Sequence, residues 1–255
     1  MKISAYTTAF NLRDYPFDWR ASLKNYLYYC DEVIVAIPFQ DSGSAELISE
    51  SFPDEKRLFV YIAQTDDVDG GLKNEALQRC VHDTCLQMDL DEQIYGGKEA
   101  WSWVIDFLQN EPYDCLMLPV LNLFHDVNHY KDIGFKFRLH KRVGRDGRYL
   151  RRGIVNFAKN KDGTFDPTKS DSTELIDSHG NLAIATMIQT SDTLAWFKLG
   201  NPSVIHYGYV DFKARCQVNK NVWHQVWKDR GAKDLPALEQ SELNKIPYYE
   251  HGLVL

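Results

Sequence analysis

The sequence predicts an α/β fold whose central sheet is mostly parallel and flanked by helices. The first observation is that short apolar runs alternate with amphipathic helical segments through residues 1–121. The second is the continuous β-branched run at residues 31–37, which is typical of a strand buried on both faces of a parallel sheet. The third is that this alternation stops there, so residues 122–255 are predicted to be irregular. Because no composition break separates the halves, we predict a single domain over residues 1–255.

The elements follow from hydrophobic period and boundary residues. Strands are predicted at residues 2–9, 31–37, 57–63, 84–91 and 114–121. Helices are predicted at residues 18–30 with Asp18 as N-cap, at 45–50, at 71–82, and around Trp101, Val104, Ile105 and Leu108. In the irregular half we expect a hairpin over 135–157 that turns at Asp146-Gly147, a loop over 159–181 and a helix at 221–230.

Composition excludes several classes of protein. The net charge of −7 argues against a general nucleic-acid binder, which would carry a basic surface. No stretch approaches the apolar length of a membrane span, and MKISAYTTAF lacks the apolar run of a signal peptide. The five cysteines form no CxxC pair, which suits free thiols in a reducing compartment. We therefore expect a cytoplasmic protein without a membrane span and without a nucleic-acid partner.

Two carboxylates stand at the predicted end of the fourth strand, in Asp89-Leu90-Asp91. In open α/β sheets, ligands bind beyond the carboxyl ends of the strands. Carboxylates at i and i+2 can reach one hard cation where the chain turns, and Mg²⁺ or Mn²⁺ commonly bridges such groups to substrate phosphates. A solvated acidic turn is the alternative, and the position after a fourth consecutive strand favours the metal.

Several segments occur in a familiar order. DEVIVAIPFQDSGSAELI fills residues 31–48, a glycine-rich helix start follows at 70–77 (GGLKNEAL), the strand CLQMDLDE ends in a DxD motif, and VIHYGYV stands at 204–210. In this order and spacing the chain resembles the GT-A fold glycosyltransferases, particularly the family 2-like group. The resemblance implies a Rossmann-like GT-A fold in which residues 1–121 bind a nucleotide sugar and 122–255 face the acceptor. It departs after the second strand, where the usual acidic residue is missing or displaced to Asp41.

The resemblance also implies roles for individual residues. It implies a Mn²⁺ or Mg²⁺ site formed by Asp89, Asp91 and His206. The donor, a UDP- or GDP-linked sugar, is expected to contact the following residues: Thr7, Thr8, Asp41, Asp69, Lys73, Asn74 and Asp89. The acceptor is expected to be a glycan or another hydroxyl compound. Asp66 and Asp67 are weaker candidates for contact with the base or ribose.

Other residues in the irregular half leave alternatives open. Asp126 and Glu174 are the base candidates, with Asp171 and Asp177 beside them, since an inverting transferase needs a carboxylate at the acceptor hydroxyl. The basic segment at 136–152 suits an anionic acceptor or the donor diphosphate, or is a solvated hairpin. Its cations are Lys136, Arg138, Lys141, Arg142, Arg145, Arg148, Arg151 and Arg152. His125 and His129 could bind zinc if they shared a helical face.

Three functions compete on this sequence. The first is metal-dependent transfer of a sugar from a nucleoside diphosphate sugar. The second is a nucleotide- or glycan-binding module that keeps the fold without turnover, which the displaced acidic residue and the unplaced base allow. The third is a sugar-phosphate nucleotidyltransferase, which is disfavoured because TTAFNLRDYP after the first strand has no glycine.

Overall fold

The computed structural model of the protein describes residues 2–64, 70–144, 147–156, 171–176, 179, 183–187, 192–210 and 249–250. The strands are β1 (Ile3–Thr8), β2 (Glu32–Pro38), β3 (Leu58–Ala63), β4 (Thr84–Gln87), β5 (Glu92–Tyr95), β6 (Cys115–Lys141), β7 (Arg151–Asn156), β8 (Asp171–Ile176), β9 (Ala185–Met187), β10 (Ser203–Val210) and β11 (Tyr249–Glu250). The helices are α1 (Trp19–Tyr29), α2 (Ser42–Ser51), α3 (Gly70–Arg79), α4 (Lys98–Asn110) and α5 (Thr193–Lys198). The predicted helix at 221–230 lies outside the described residues.

Within the described residues, one sheet has the order β3-β2-β1-β4-β6-β10-β5, with β9 and β11 also paired to β6. The pairs β3-β2, β2-β1, β1-β4, β6-β10 and β6-β9 are parallel, whereas β4-β6, β10-β5 and β11-β6 are antiparallel. The predicted fold class, a mostly parallel central sheet flanked by helices, is therefore confirmed. β7 and β8 form a separate two-stranded sheet.

Two apolar layers cover the sheet. On one face α1, α2 and α4 pack on β1, β2 and β4 around Leu23, Val35 and Leu108. On the other face α3 packs over Tyr6 and Ile34. Every residue of β2 is buried, as the β-branched run predicts for a strand covered on both faces. None of the helices in the described part of the chain is long and apolar enough to cross a membrane.

The strand β6 doubles back on itself. The Lys141 N–H donates to the Asp114 carbonyl at 2.9 Å, so the two ends of this 27-residue strand are neighbours. The chain reverses near Asp126, whose Oδ1 accepts the Asn128 N–H at 2.7 Å. The outgoing arm pairs with β10 and the returning arm with β4. The sequence boundary between residues 121 and 122 thus falls inside β6, and both predicted halves contribute strands to one sheet.

Three local expectations are wrong. The hairpin over 135–157 does not form as predicted, because β6 pairs with β4 while β7 pairs with β8. In the described residues on either side of 145–146, an antiparallel bridge joins Val143 to Tyr149, and Gly147 has a φ of 74°. The loop expected over 159–181 contains β8. His125 and His129 lie in β6 rather than on a helix, which removes the premise of the zinc alternative.

Candidate functional site

The candidate site is built around the turn at residues 89–92, directly after β4. The Glu92 N–H donates to the Asp89 carbonyl at 2.9 Å, and the Glu92 side chain accepts the Asp89 N–H at 3.2 Å. This reciprocal pair closes the turn on itself. The turn lies at the carboxyl ends of the parallel strands β1 and β4, where Gln87 pairs with Tyr6, and this is the edge at which open α/β sheets bind ligands.

Helix α1 holds the turn from one side. The Tyr26 hydroxyl lies 2.5 Å from the Asp89 carbonyl and 2.8 Å from the Glu92 carbonyl, and the Ser22 hydroxyl donates to the Leu90 carbonyl at 2.9 Å. Tyr26 is fully buried, and burial together with the nearby Glu92 and Asp89 carboxylates raises its phenol pKa well above the ordinary value. The phenol therefore keeps its proton and serves as a fixed donor to the backbone of the turn.

Asp91 and His206 meet at this turn. The Asp91 Oδ2 lies 3.3 Å from the His206 Nε2, and both side chains are about nine-tenths buried or more, at 12% and 8% exposure. Strand β10 brings His206 here because it pairs with β5 in a register that places His206 opposite Glu92. The Tyr207 N–H donates to the Asp91 carbonyl at 2.7 Å and fixes the strand to the turn.

Asn122 orients the histidine ring. The His206 Nδ1 lies 2.7 Å from the Asn122 Oδ1, and the two residues are cross-strand partners on β10 and β6. Because an amide oxygen only accepts hydrogen bonds, this contact assigns the Nδ1 proton to the bond with Asn122 and turns the Nε2 toward Asp91. A histidine that binds a metal through one ring nitrogen usually donates the other ring N–H to such an oxygen, which fixes the ring orientation.

The pair of Asp91 and His206 fits two ligands of one divalent cation. Neighbouring ligands at about 2.1 Å from a Mg²⁺-like ion are about 3 Å apart, close to the 3.3 Å seen here. In the described residues no group of three or more His, Cys, Asp or Glu side chains is placed to hold a metal. Such an ion would therefore complete its shell with water and substrate phosphates, as Mg²⁺ commonly does. The predicted metal role of Asp91 and His206 stays a prediction with compatible geometry.

Asp89 lies among cations. Its Oδ2 accepts from the Arg138 Nη2 at 2.7 Å, and its Oδ1 lies 3.3 Å from the Lys73 Nζ and 3.0 Å from the Gln87 amide nitrogen. These contacts place the Asp89 carboxylate in an ion-pair network with Arg138 and Lys73. The side chain of Asp89 is 31% exposed, and its predicted contacts with a metal and with the donor stay predictions.

We call Lys73, Lys136 and Arg138 the basic cluster. Arg138 is buried and also donates to Gln87 and Glu92, while the Lys136 Nζ donates to the Glu92 Oε1 at 3.0 Å. Burial on its own would raise the pKa of Asp89, yet the positive charges of the cluster outweigh it and hold that pKa well below the ordinary value. The same carboxylates, acting against burial, raise the pKa of Arg138. Asp89 and Arg138 are therefore both charged at neutral pH.

A buried hydrogen-bonded chain adjoins the basic cluster. The Arg152 Nε donates to the Tyr6 hydroxyl at 2.8 Å, and that hydroxyl lies 2.8 Å from the His140 Nε2. The His140 Nδ1 donates to the Lys141 carbonyl at 2.7 Å, so the Nε2 is the acceptor. Burial, followed by the charge of Arg152, lowers the His140 pKa to about 3. His140 is therefore neutral, and Arg152, Tyr6 and His140 form a buried chain of hydrogen bonds.

The other predicted donor residues are placed as follows. Thr7 is fully buried inside β1, so its side chain does not reach a cleft, while Thr8 ends that strand and is partly exposed. Asp41 caps α2, because its carboxylate accepts the Ser44 N–H at 3.2 Å and the Asn11 N–H at 2.6 Å. The hydrogen bonds of the Asp41 carboxylate are thus explained by its place at the start of α2, and its predicted contact with the donor stays a prediction.

Asn74 joins α3 to β7, since its Oδ1 accepts the Arg152 N–H at 3.3 Å. Asp69, like Asp66 and Asp67, lies outside the described residues. Of the predicted site, the structure therefore brings Lys73 to Asp89 and Asp91 to His206.

Of the predicted bases, the structure describes the side chain of Asp126. Asp126 lies at the reversal of β6 with 51% of its side chain exposed, and its Oδ1 contacts the His129 Nδ1 at 2.9 Å. That hydrogen bond lowers the Asp126 pKa. Glu174 and Asp171 lie in β8, and their side chains, like Asp177, fall outside the described residues. The role of base stays a prediction.

Sequence reasoning missed Asn122, Tyr26 and Gln87, each of which touches a predicted site residue. The period-2 spacing of Lys136, Arg138 and His140 could have shown that one face of a strand is polar. Asn122 carries no comparable local signal, because its role depends on a partner 84 residues away.

No family model matches this chain, and no curated protein matches it. Among solved structures it is similar to TarS from S. aureus in complex with UDP-GlcNAc, with 22% identity, a TM-score of 0.36 and coverage of 48% of this chain and 34% of that one. The chain therefore spans about a third of that TarS structure's length.

Two further structures match more of the chain. One is 4-diphosphocytidyl-2C-methyl-D-erythritol synthase from Anaerococcus prevotii, with 14% identity, a TM-score of 0.33 and coverage of 95% of this chain and 80% of that one. The other is HddC from Yersinia pseudotuberculosis, with 14% identity, a TM-score of 0.43 and coverage of 86% and 100%. Likenesses this distant carry no functional argument, so a function has to be argued from the site.

Proposed function

We propose that this chain is a glycosyltransferase that moves a sugar from a UDP- or GDP-linked donor to a glycan or another hydroxyl acceptor, with Mn²⁺ or Mg²⁺ at its site. The observation that carries the proposal is the Asp91–His206 contact of 3.3 Å at the carboxyl end of β4, with the histidine ring oriented by Asn122. A carboxylate and an imidazole held in this way, at a ligand-binding sheet edge, suit a divalent cation that also bridges to phosphates.

Asp91 and His206 would hold the metal, which offsets the charge that builds up on a departing diphosphate. The chain's own residues supply the rigidity that such a site needs. Tyr26 and the Glu92 side chain fix the backbone of the turn, so Asp91 does not have to be ordered when a ligand arrives. Asn122 prevents the ring of His206 from rotating away.

Asp91→Asn tests the metal role directly. We expect UDP or GDP to raise the melting temperature of the wild type more strongly with Mn²⁺ than with EDTA, because a metal-bridged ligand stabilises the native state alone. In Asp91→Asn the increment due to the metal should disappear. Asp106→Asn is the matched control, since Asp106 is an exposed carboxylate on α4. An unchanged Mn²⁺ increment in Asp91→Asn would exclude the proposed metal site.

Turnover separates transfer from mere binding. With the nucleotide identified, hydrolysis or transfer of its sugar conjugates is measured by release of the nucleoside diphosphate. Release that depends on Mn²⁺ and is lost in Asp91→Asn supports the transferase. Metal-dependent nucleotide binding without any release, over broad donor and acceptor sets, would favour the binding module that the sequence left open.

A further inference from the structure

Strand β3 lies at one end of the main sheet, and in the described part of the chain its strand partner is β2 alone. Val33 of β2 lies opposite Leu58, and the Val33 N–H donates to the Arg57 carbonyl at 2.8 Å. In a parallel pair with this register, every second residue of β3, beginning with Phe59, turns its N–H and C=O groups to β2. The N–H and C=O groups of the residues between them therefore point to the outer edge; these residues are Leu58, Val60 and Ile62.

This outer edge is largely unpaired within the residues that the structure describes. The Leu58 N–H donates to the Glu55 carbonyl at 3.3 Å, whereas no other described segment makes a hydrogen bond to the backbone of Val60 or Ile62. Val60 and Ile62 thus each offer an N–H and a C=O group at the edge of the sheet. Such a row of backbone groups is a template to which another strand can be added.

The composition of β3 does not protect this edge. Its six residues, LFVYIA, include no charged residue, glycine or proline, and Phe59 and Ile62 are about half exposed. Natural edge strands are usually shorter or carry charges. The strand at the other end of the sheet, β5, has four residues and includes Glu92. We therefore expect β3, unlike β5, to be covered by a further strand.

The strand is complementary to itself. If Val60 lies opposite Val60 of a second copy in an antiparallel pair, Leu58 lies opposite Ile62, and Phe59 lies opposite Tyr61. The residues whose backbone points outward then form the hydrogen-bonded pairs. The two aromatic residues fall in the closer, non-hydrogen-bonded pairs, with about 4.5 Å between Cα atoms. Aromatic and aliphatic pairs of this kind stabilise antiparallel strands.

The neighbouring symmetric register is less favourable. With Tyr61 opposite Tyr61, the two Arg79 guanidinium groups would lie beside the same two-fold axis, since each is 3.7 Å from the centroid of its own Tyr61 ring. Like charges in such positions destabilise a strand pair. This register would also set the apolar Leu58 opposite the exposed Gln64. The register centred on Val60 avoids both contacts.

A groove beside the edge can receive the aromatic ring of the second copy. It has a volume of about 480 Å³, and its lining includes Ile34, Phe59, Tyr61 and Val81. Tyr61 packs on the α3 side of the sheet, and Phe59, two residues away, lies on the same side. In the register centred on Val60, the Phe59 ring of the second copy lies beside Tyr61. It would cover apolar surface that includes Val81, which is 61% exposed.

We propose that β3 is a dimerisation edge, at which two copies of this chain pair their β3 strands antiparallel about a two-fold axis at Val60 and join their sheets into one. A two-fold contact uses the same surface of both copies and closes on itself, so it covers both exposed edges at once. Strands β2 and β1 separate β3 from β4, so this interface does not involve the turn at residues 89–92. The proposal is therefore independent of the proposed function.

Sedimentation equilibrium of the full chain at several concentrations measures the dimer. We expect a reversible equilibrium of monomer and dimer, because pairing two short strands buries less surface than permanent dimers do. Ile62→Lys should raise the dissociation constant at least about tenfold, since it sets an ammonium group opposite Leu58 twice in each dimer. Ile184→Lys is the matched control, because Ile184 is 46% exposed against 47% for Ile62 and lies beside β9. Its dissociation constant should equal that of the wild type.

A wild type that stays monomeric at every concentration would overturn the proposal. So would an Ile62→Lys variant that unfolds cooperatively in urea and dimerises as tightly as the wild type. An equal loss of dimer in Ile184→Lys would place the contact elsewhere on the molecule and would also overturn it.

Cysteine cross-linking tests the register without depending on the affinity of the Ile62 variant. Phe59→Cys and Tyr61→Cys are oxidised with diamide, each alone and then mixed. A Cα separation of about 4.5 Å suits a disulfide, so the mixture should yield cross-linked dimer and the single variants should not. The wild type gives the background, and its cysteines in the described residues are buried. Cross-linking of Tyr61→Cys alone, or none in the mixture, would overturn the pairing centred on Val60.

Discussion

His140 is expected to make the protein sensitive to mild acid. It has 1% exposure, accepts a hydrogen bond from Tyr6 and has a pKa of about 3 in the folded protein, against about 6.5 in an unfolded chain. Between these two pKa values the unfolded state takes up a proton and the folded state does not. The contribution of neutral His140 to stability is therefore fully present above pH 6.5 and is lost as the pH is lowered toward 3.

The magnitude follows from these two pKa values. Each pH unit within the window costs about 1.4 kcal/mol, so the free energy of unfolding should fall by about 2 kcal/mol between pH 7 and pH 5 through His140 alone. Asp89 does not contribute in this range, because its lowered pKa moves its loss of stability to more acidic solutions. Comparison of the wild type with a variant that lacks His140 isolates the contribution of this residue between pH 5 and pH 7.

Urea denaturation at pH 5, 6 and 7 measures the contribution of His140 to the free energy of unfolding. His140→Gln should be less stable than the wild type at pH 7, since it disturbs a buried hydrogen bond, and this deficit should shrink by about 2 kcal/mol at pH 5. His82→Gln, which replaces a partly exposed histidine, is the matched control. Parallel curves for His140→Gln and the wild type would refute the reasoning, since His140 would then titrate alike in both states.

Two other substitutions test how the framework around the site is held. Gly96→Ala should lower the free energy of unfolding by more than about 1 kcal/mol in urea denaturation, because φ is 114° and a Cβ would lie 2.7 Å from the Asn201 carbonyl oxygen. Gly97→Ala is the control and should cost far less, since a Cβ at Gly97 would meet open space. Asp41→Ala should lower the free energy of unfolding by about 0.5–2 kcal/mol through loss of the α2 N-cap, and Asp41→Asn should lower it less. Equal stability of the wild type and both variants would show that the cap contributes nothing.

The strands and helices that the sequence predicts best are those with a local pattern. The all-buried strand β2 and the helix α1 with its Asp18 cap needed only hydrophobic period and one capping residue. The short strand β5 carries no clear alternation and depends on pairing with β10. The reversal of β6 contains no glycine, so it lacks the usual hairpin signal.

The same distinction runs through the site. Asp89 and Asp91 could be predicted because a strand end is visible in sequence, and Lys73 because a helix start is. Tertiary contacts decide which partner each carboxylate has. Here Asp89 forms an ion pair with Arg138, whereas Asp91 lies beside His206. No local pattern distinguishes these two outcomes.

The doubled strand β6 explains how the site combines these features. Its outgoing arm supplies Asn122, which orients His206, and its returning arm supplies Lys136 and Arg138, which bind the turn after β4. The amide of Asn122 lies close to Gly134, so the two arms are in contact near this point. One hairpin therefore supports both the Asp91–His206 pair and the basic cluster. Because Asn122 lies on one arm and Lys136 and Arg138 lie on the other, the pairing of the two arms fixes the contacts to His206 relative to the contacts to the turn after β4.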